Sequence, residues 1–202
     1  MKIFCVGRNY AAHISELGNE TPDNPVIFMK PRTALPVVGQ PFYYPNFSKD
    51  IHYEGEIVLR VAKNGKCILP QFVHNYVDAY TLGFDFTARD IQQDLKSKGL
   101  PWELAKGFDG AAAIGEFLPL RIPLLKPLTF TIFKNGEMVQ AGNTDYMIYS
   151  FEHLVCFISR YITLQKGDLI FTGTPAGVGR VEIGDILTGN AEGKLLITCP
   201  VK

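Results

Sequence analysis

The chain has no apolar run approaching the roughly 20 residues that a helix needs to cross a bilayer, so no membrane role is expected. It has no excess of charge either. Twenty basic side chains balance twenty acidic ones without long blocks of one sign, which excludes the electrostatic footprint of a nucleic-acid binder. Cys5, Cys67, Cys156 and Cys199 lie far apart with no CxxC or other zinc spacing, and they are expected to be reduced thiols in a cytoplasmic protein. The opening MKIFCVGRNY is too short in apolar residues for the core of a signal peptide, so an unprocessed start is expected. GxSxG, GxGxxG and GxxxxGK[ST] are all missing, which removes the usual carriers of serine-elbow hydrolysis, dinucleotide binding and P-loop chemistry. No internal repeat occurs, and the recurrence of KNG at 63 and 134 is turn chemistry.

What is there points to β structure. With 202 residues, 47% of them hydrophobic, the chain is long enough for one core, and a single domain over 1–202 is expected. Short runs rich in β-branched and aromatic residues predict strands at KIFCV, 26–30, 56–62, 80–86, 128–133, 168–173 and 195–201. Asn64-Gly65 and Asn135-Gly136 each predict a tight antiparallel hairpin, because both central residues of a type I′ turn need positive φ. Three helices are predicted, over Asn9–Leu17, Ala88–Lys98 with Gly99 closing it, and Tyr146–Ile162. The fold class is therefore α+β, mostly β.

The stretch HYEGE at 52–56 runs into IVLRV and reads as one strand. Glu54 and Glu56 then share a face, and His52 shares it if the strand reaches that far. Like charges side by side are costly unless something positive lies between them. A second strand ends in GFDFTARD, which puts Asp85 just before a helix start, where a buried carboxylate needs a partner. A Glu/Glu/Asp oxygen set suits a hard divalent cation such as Mg²⁺. The same pattern also fits a solvated sheet face with Asp85 as a turn residue. His52 is a candidate to orient Glu54. His74 and His153 read as structural, and Trp102 with the 146–162 aromatics as core or dimer interface.

HYEGEIVL, GFDFTARDIQ, GLPWELAKGFDG and FTGTPAGVG, in this order, resemble the fumarylacetoacetate hydrolase family, in particular its small acylpyruvase and oxaloacetate decarboxylase members. The likeness extends from GRNYAAH at 7–13 to the last strand. It implies a mixed β-roll or sandwich, a homodimer, and Mg²⁺ (with Mn²⁺ or Ca²⁺ as alternatives) at Glu54, Glu56 and Asp85. It also implies a mobile lid over 9–24. His13 and Glu16, three apart on a predicted helix, share a face, so the carboxylate can orient the imidazole as a general base. By resemblance that pair activates water, and Lys106 in LAKGFDG holds an enolate oxygen or a carboxylate. Arg89 and Gln92, opening the helix after Asp85, are expected to reach substrate oxygens, Lys30 in FMKPRTA to back a metal ligand, and Thr174 in the Gly-rich TGTPAGVG loop to bind a carboxylate with backbone N–H groups.

The expected reaction is metal-dependent cleavage of a C–C bond in an acylpyruvate-type 1,3-dicarbonyl acid through an enolate. Oxaloacetate decarboxylation or a 2-hydroxyhepta-2,4-diene-1,7-dioate-type isomerisation could use the same site. A different class, a non-catalytic β-domain that binds a metabolite, would not need His13, Glu16 and Lys106. The expected partner is a small 2-oxo acid, not a nucleic acid or a membrane.

Overall fold

The computed structural model describes residues 1–202 apart from 17, 19, 20 and 38. In chain order the first half contains β1 (Ile3–Gly7), α1 (Ala11–Glu16), β2 (Val26–Lys30), β3 (Ile51–Tyr53), β4 (Gly55–Val61), β5 (Val77–Asp85), β6 (Thr87–Ala88), α2 (Arg89–Ser97) and α3 (Glu103–Lys106). The second half contains β7 (Ala112–Ile114), β8 (Leu118–Pro119), β9 (Thr129–Lys134), β10 (Glu137–Asn143), α4 (Phe151–Tyr161), β11 (Leu169–Phe171), β12 (Gly179–Arg180), β13 (Ile186–Ala191) and β14 (Lys194–Pro200).

A seven-stranded sheet runs β2-β1-β11-β4-β5-β7, with β8 also on β5; β10-β9-β13-β14 and β12-β3-β6 form two smaller sheets. Only β1 and β11 pair in parallel among these strands, so the large sheet is mixed. β4 is buried along almost its whole length, because both faces of the large sheet are covered. On one side Ile57, Leu59, Leu82 and Phe84 join Ile132, Leu187 and Ile197 of the four-stranded sheet. On the other, Ile3, Val58, Leu169 and Phe171 form a second cluster. Burying each such side chain stabilises the fold by about 1.5–3 kcal/mol. The stripe Leu154, Val155 and Ile158 docks α4 on the first cluster.

Several local predictions need correction. Asn135 (φ 53°) and Gly136 (φ 84°) do make the tight turn between β9 and β10, but Asn64-Gly65 does not. β4 and β5 are antiparallel neighbours joined by a long link through a 3-10 turn at Pro70–Asn75, and Gly65 bridges Leu164 instead. A Cβ on Gly65 would lie 2.4 Å from Tyr76 Cε1, so this glycine serves close packing. The helix predicted from Tyr146 begins at Phe151, because the Ser150 hydroxyl caps it by accepting the His153 N–H. The first helix is Ala11–Glu16; its predicted last residue, Leu17, lies outside the described residues, as do 19 and 20 of the expected lid.

The HYEGE strand is broken at Glu54. Ile51–Tyr53 pairs with β6 and β12, whereas Gly55–Val61 belongs to the large sheet. His52 consequently turns to Asp50, with Nε2 at 3.0 Å from Oδ1, and does not bond Glu54. Its Nδ1 is buried without a partner.

Candidate active site

The break in the strand does not separate the acidic residues. Glu54 sits at the crossing between sheets, Glu56 follows in β4, and Asp85 ends β5 beside them, the Asp85 N–H donating to Glu54 O at 2.9 Å. All three are buried, and one carboxylate oxygen from each lies within 4.8 Å of the others. The solvated-face reading of these residues is thereby removed.

Three cations surround the group. Lys106, at the end of α3 and only 2% exposed, donates from Nζ to Glu54 Oε2 at 2.8 Å and Asp85 Oδ2 at 3.0 Å. Arg89 Nη2 donates to Glu54 Oε1 at 2.6 Å, and Thr87 Oγ1 adds a bond at 3.1 Å. Lys30 Nζ, at the end of β2, lies 2.7 Å from Asp85 Oδ1. It also donates to the carbonyls of Phe86 and Lys106.

These contacts treat the carboxylates unequally. Burial opposes the charge on Glu54, but Lys106 and Arg89 outweigh it and hold the carboxyl below its usual range. Among the described residues Glu56 accepts the Gly173 N–H, at 2.7 Å on Oε2, and has no cation bonded to it. Burial, then Asp85, then Glu54 push its pKa well up. A buried acid pressed by two like charges whose oxygens converge with its own forms an oxygen-only donor set that fits a hard divalent cation. Lys106 shows the converse: burial lowers its pKa, Asp85 and Glu54 more than restore it, and the net shift is upward.

The carboxylates line a cleft of about 480 Å³, its open mouth included, together with His13, Arg89, Gln92, Lys106 and Thr174. Glu16 and Lys30 stand behind this wall. Glu16 Oε2 is 3.2 Å from His13 Nδ1 and its Oε1 accepts the Gly177 N–H at 3.0 Å, so the pair predicted from the spacing is in contact and anchored to the Gly-rich loop. Arg89 and Gln92 turn toward the protein, Arg89 Nη1 donating to Gln92 Oε1 at 2.6 Å. The Thr174 hydroxyl donates to Gly55 O at 2.9 Å. The carboxylates held by this loop's backbone are the protein's own, Glu56 at the Gly173 N–H and Glu16 at the Gly177 N–H.

Six residues of the cleft wall were not foreseen, among them Val6 and Gly7 of β1. Arg8, at a left-handed φ of 59°, and Lys96 of α2 add positive charge to its wall, and Phe28 and Trp102 add an aromatic edge, with ring centroids 5.9 Å apart. Trp102 thus lies at the cleft and not in the core. Arg8 stood inside the GRNYAAH motif, and its left-handed backbone shows only in the structure; Lys96 carried no signal, being one of several charged residues of α2.

Residues 2–201 match the family described as Fumarylacetoacetate (FAA) hydrolase C-terminal, and the chain belongs to that family of enzymes. Within it, the chain is 39% identical over 201 residues to the mitochondrial oxaloacetate tautomerase of Mus musculus, covering 99% of this chain and 91% of that protein. It is 43% identical over 188 residues to the mitochondrial oxaloacetate decarboxylase of Dictyostelium discoideum, covering 92% and 86%. The structure superposes with TM-score 0.93 on fumarylpyruvate hydrolase from Pseudomonas aeruginosa, solved with Mn²⁺ and pyruvate, at 35% identity over 100% of this chain and 89% of that one.

Proposed function

We propose that this chain is a divalent-metal-dependent enzyme that converts a small 2-oxo dicarboxylic acid through its enolate, with oxaloacetate as substrate and keto–enol interconversion and decarboxylation as its reactions. The observation that carries this reading is the convergence of Glu54, Glu56 and Asp85 beside Lys106 and His13 in one cleft. The names of the relatives support oxaloacetate. Held by Glu54, Glu56 and Asp85, a divalent cation, Mg²⁺ by preference, would supply Lewis acidity toward the 2-oxo carbonyl.

The protein's own groups divide the remaining work. Lys106, raised in pKa by Asp85 and Glu54 against its burial, stays an ammonium near neutrality and acts as fixed charge beside the developing oxyanion. His13 is then the base. With Nδ1 directed to Glu16, Nε2 is the nitrogen free to take the proton from C3; the electron pair left behind forms the C2–C3 double bond, the carbonyl pair moves onto the 2-oxo oxygen, and a proton returned to that oxygen gives the enol. Decarboxylation breaks C3–C4 and sends that electron pair to the same oxygen, without a base. The segment 9–24 is proposed to close over the substrate, latched where Glu16 accepts the Gly177 N–H, and a homodimer belongs to the same proposal.

A second reading, hydrolysis of an acylpyruvate, is supported by the likeness to fumarylpyruvate hydrolase. There His13 Nε2 would take its proton from water attacking the distal carbonyl. A panel of oxaloacetate, acetylpyruvate and fumarylpyruvate, assayed with Mg²⁺, Mn²⁺ or a chelator, separates the two. Oxaloacetate should be consumed with metal, and activity should be lost in chelator and in Glu56→Gln. Full turnover in chelator would remove the metal reading, while cleavage of acylpyruvates with oxaloacetate untouched would establish the second.

A further inference from the structure

Gly55 lies between two of the three carboxylates, and a glycine leaves their relative aim loose unless something outside the strand holds it. Its surroundings are tight: a Cβ there would lie 2.4 Å from Ile132 Cγ1 and 2.9 Å from Gln140 Oε1. Both of its backbone groups are taken by side chains. Gln140 Oε1 accepts the Gly55 N–H at 2.9 Å, and Gly55 O accepts from Thr174 Oγ1 at 2.9 Å.

Gln140 reaches this point from β10 of the four-stranded sheet and is 2% exposed. Its amide is saturated in one orientation. Besides accepting from Gly55, its Nε2 donates to Thr174 Oγ1 at 2.8 Å and to Pro175 O at 2.9 Å; a flipped amide would face the Gly55 N–H with its own donor. The loop it grips carries the Gly173 N–H that holds Glu56 and the Gly177 N–H that holds Glu16. Gly177 also packs against this part of β10: a Cβ on it would lie 2.1 Å from Val139 O and 3.2 Å from Gln140 Cγ.

We propose that Gln140 is a positioning residue that locks the Glu54–Gly55–Glu56 backbone to the Gly-rich loop and so aims both carboxylates at one divalent cation. It touches neither the cation nor the substrate. Nothing in the chemistry of the cleft requires an amide at this point of β10; its value is geometric, since it fixes two peptide groups and a loop together. The inference rests on the metal-dependent reading, and its test keeps the two apart.

Mn²⁺ binding to the full chain is measured without substrate, by the electron paramagnetic resonance signal of free Mn²⁺, together with the melting temperature in chelator. Gln140→Leu should remain folded, with Mn²⁺ affinity at least tenfold weaker and little rise in melting temperature on adding Mn²⁺. Gln140→Glu keeps the size and the acceptor for Gly55 but cannot donate to Thr174 or Pro175; it should also bind more weakly, and decides the matter if the leucine variant does not fold. Leu187→Ala, a core change in β13 away from the cleft, should lower the melting temperature yet leave Mn²⁺ affinity unchanged. Gln140 variants that bind Mn²⁺ within twofold of the native chain would overturn the role of Gln140, as would equal weakening in Leu187→Ala. Absence of Mn²⁺ binding in the native chain would instead overturn the metal reading.

Discussion

At the residue scale, a cluster of buried charges is distinguished by which charges lack an equal partner. Lys106, Arg89 and Lys30 neutralise Glu54 and Asp85, and such buried pairs are costly to break but weak evidence of stability by themselves. Glu56 has no cation in hydrogen-bond contact, which makes it the informative member. The sequence made the acidic pattern of Glu54, Glu56 and Asp85 readable, although the strand breaks at Glu54, and the His13–Glu16 contact follows from helix periodicity. It could not show that Arg89 and Thr174 spend hydrogen bonds on the protein itself. His13→Ala should reduce turnover by about 10²–10⁴-fold, the usual contribution of a general base, with Mn²⁺ affinity kept within a factor of two. Stopped-flow kinetics and metal titration on the same sample check this, and an unchanged kcat would remove His13 from the mechanism.

At the element scale, the secure strands were those with a dense β-branched and aromatic pattern, such as β2. The tight turn at Asn135-Gly136 succeeded because its flanking strands continue directly from it. Asn64-Gly65 failed because the return strand does not follow it directly: the Ala62 N–H bonds Tyr76 O at 2.8 Å, at the far end of the link, and the Gly65 N–H bonds Leu164 O at 2.9 Å, contacts with no local signature. Asp185 ties the successful hairpin to the turn before β13, accepting from Asn135 Nδ2 at 2.7 Å and the Glu182 N–H at 2.8 Å. Burial opposes its charge, but Asn135, the Glu182 N–H and Lys134 lower its pKa on balance. An acid depressed in the folded state contributes stability above its unfolded pKa of about 3.9, and the contribution is lost as pH falls through the folded value. Asp185→Asn should therefore cost about 1 kcal/mol at neutral pH and flatten the acid side of the stability profile. Urea titrations from neutral to acid pH would show this; an equal loss in native and variant chains below pH 4 would contradict it.

At the scale of the molecule, the site exists only where β2, β4, β5, α2 and α3 meet, with His13 of α1 also on its wall. An unfolded chain presents no such cluster, so a divalent cation should bind the native state alone. At a hundredfold excess over its Kd, Mn²⁺ or Mg²⁺ should add about 2.7 kcal/mol, or roughly 5–10 °C in melting temperature for a chain of this size. Scanning fluorimetry with and without chelator measures it, and coincident curves would contradict cation binding. Among the described residues no helix is long and apolar enough to cross a membrane, in line with the absence of long apolar runs. The sequence by itself determined the β-rich class, the Glu54/Glu56/Asp85 acidic pattern, the His13–Glu16 pairing on α1 and the family. Only the tertiary structure decided that the HYEGE strand divides at Glu54, that His52 turns away, that Arg8 and Lys96 join the cleft, and that Gln140 clamps Gly55. The reason is reach: the first group follows from neighbours along the chain, whereas the second depends on atoms that the sheets bring together from residues far apart in the sequence.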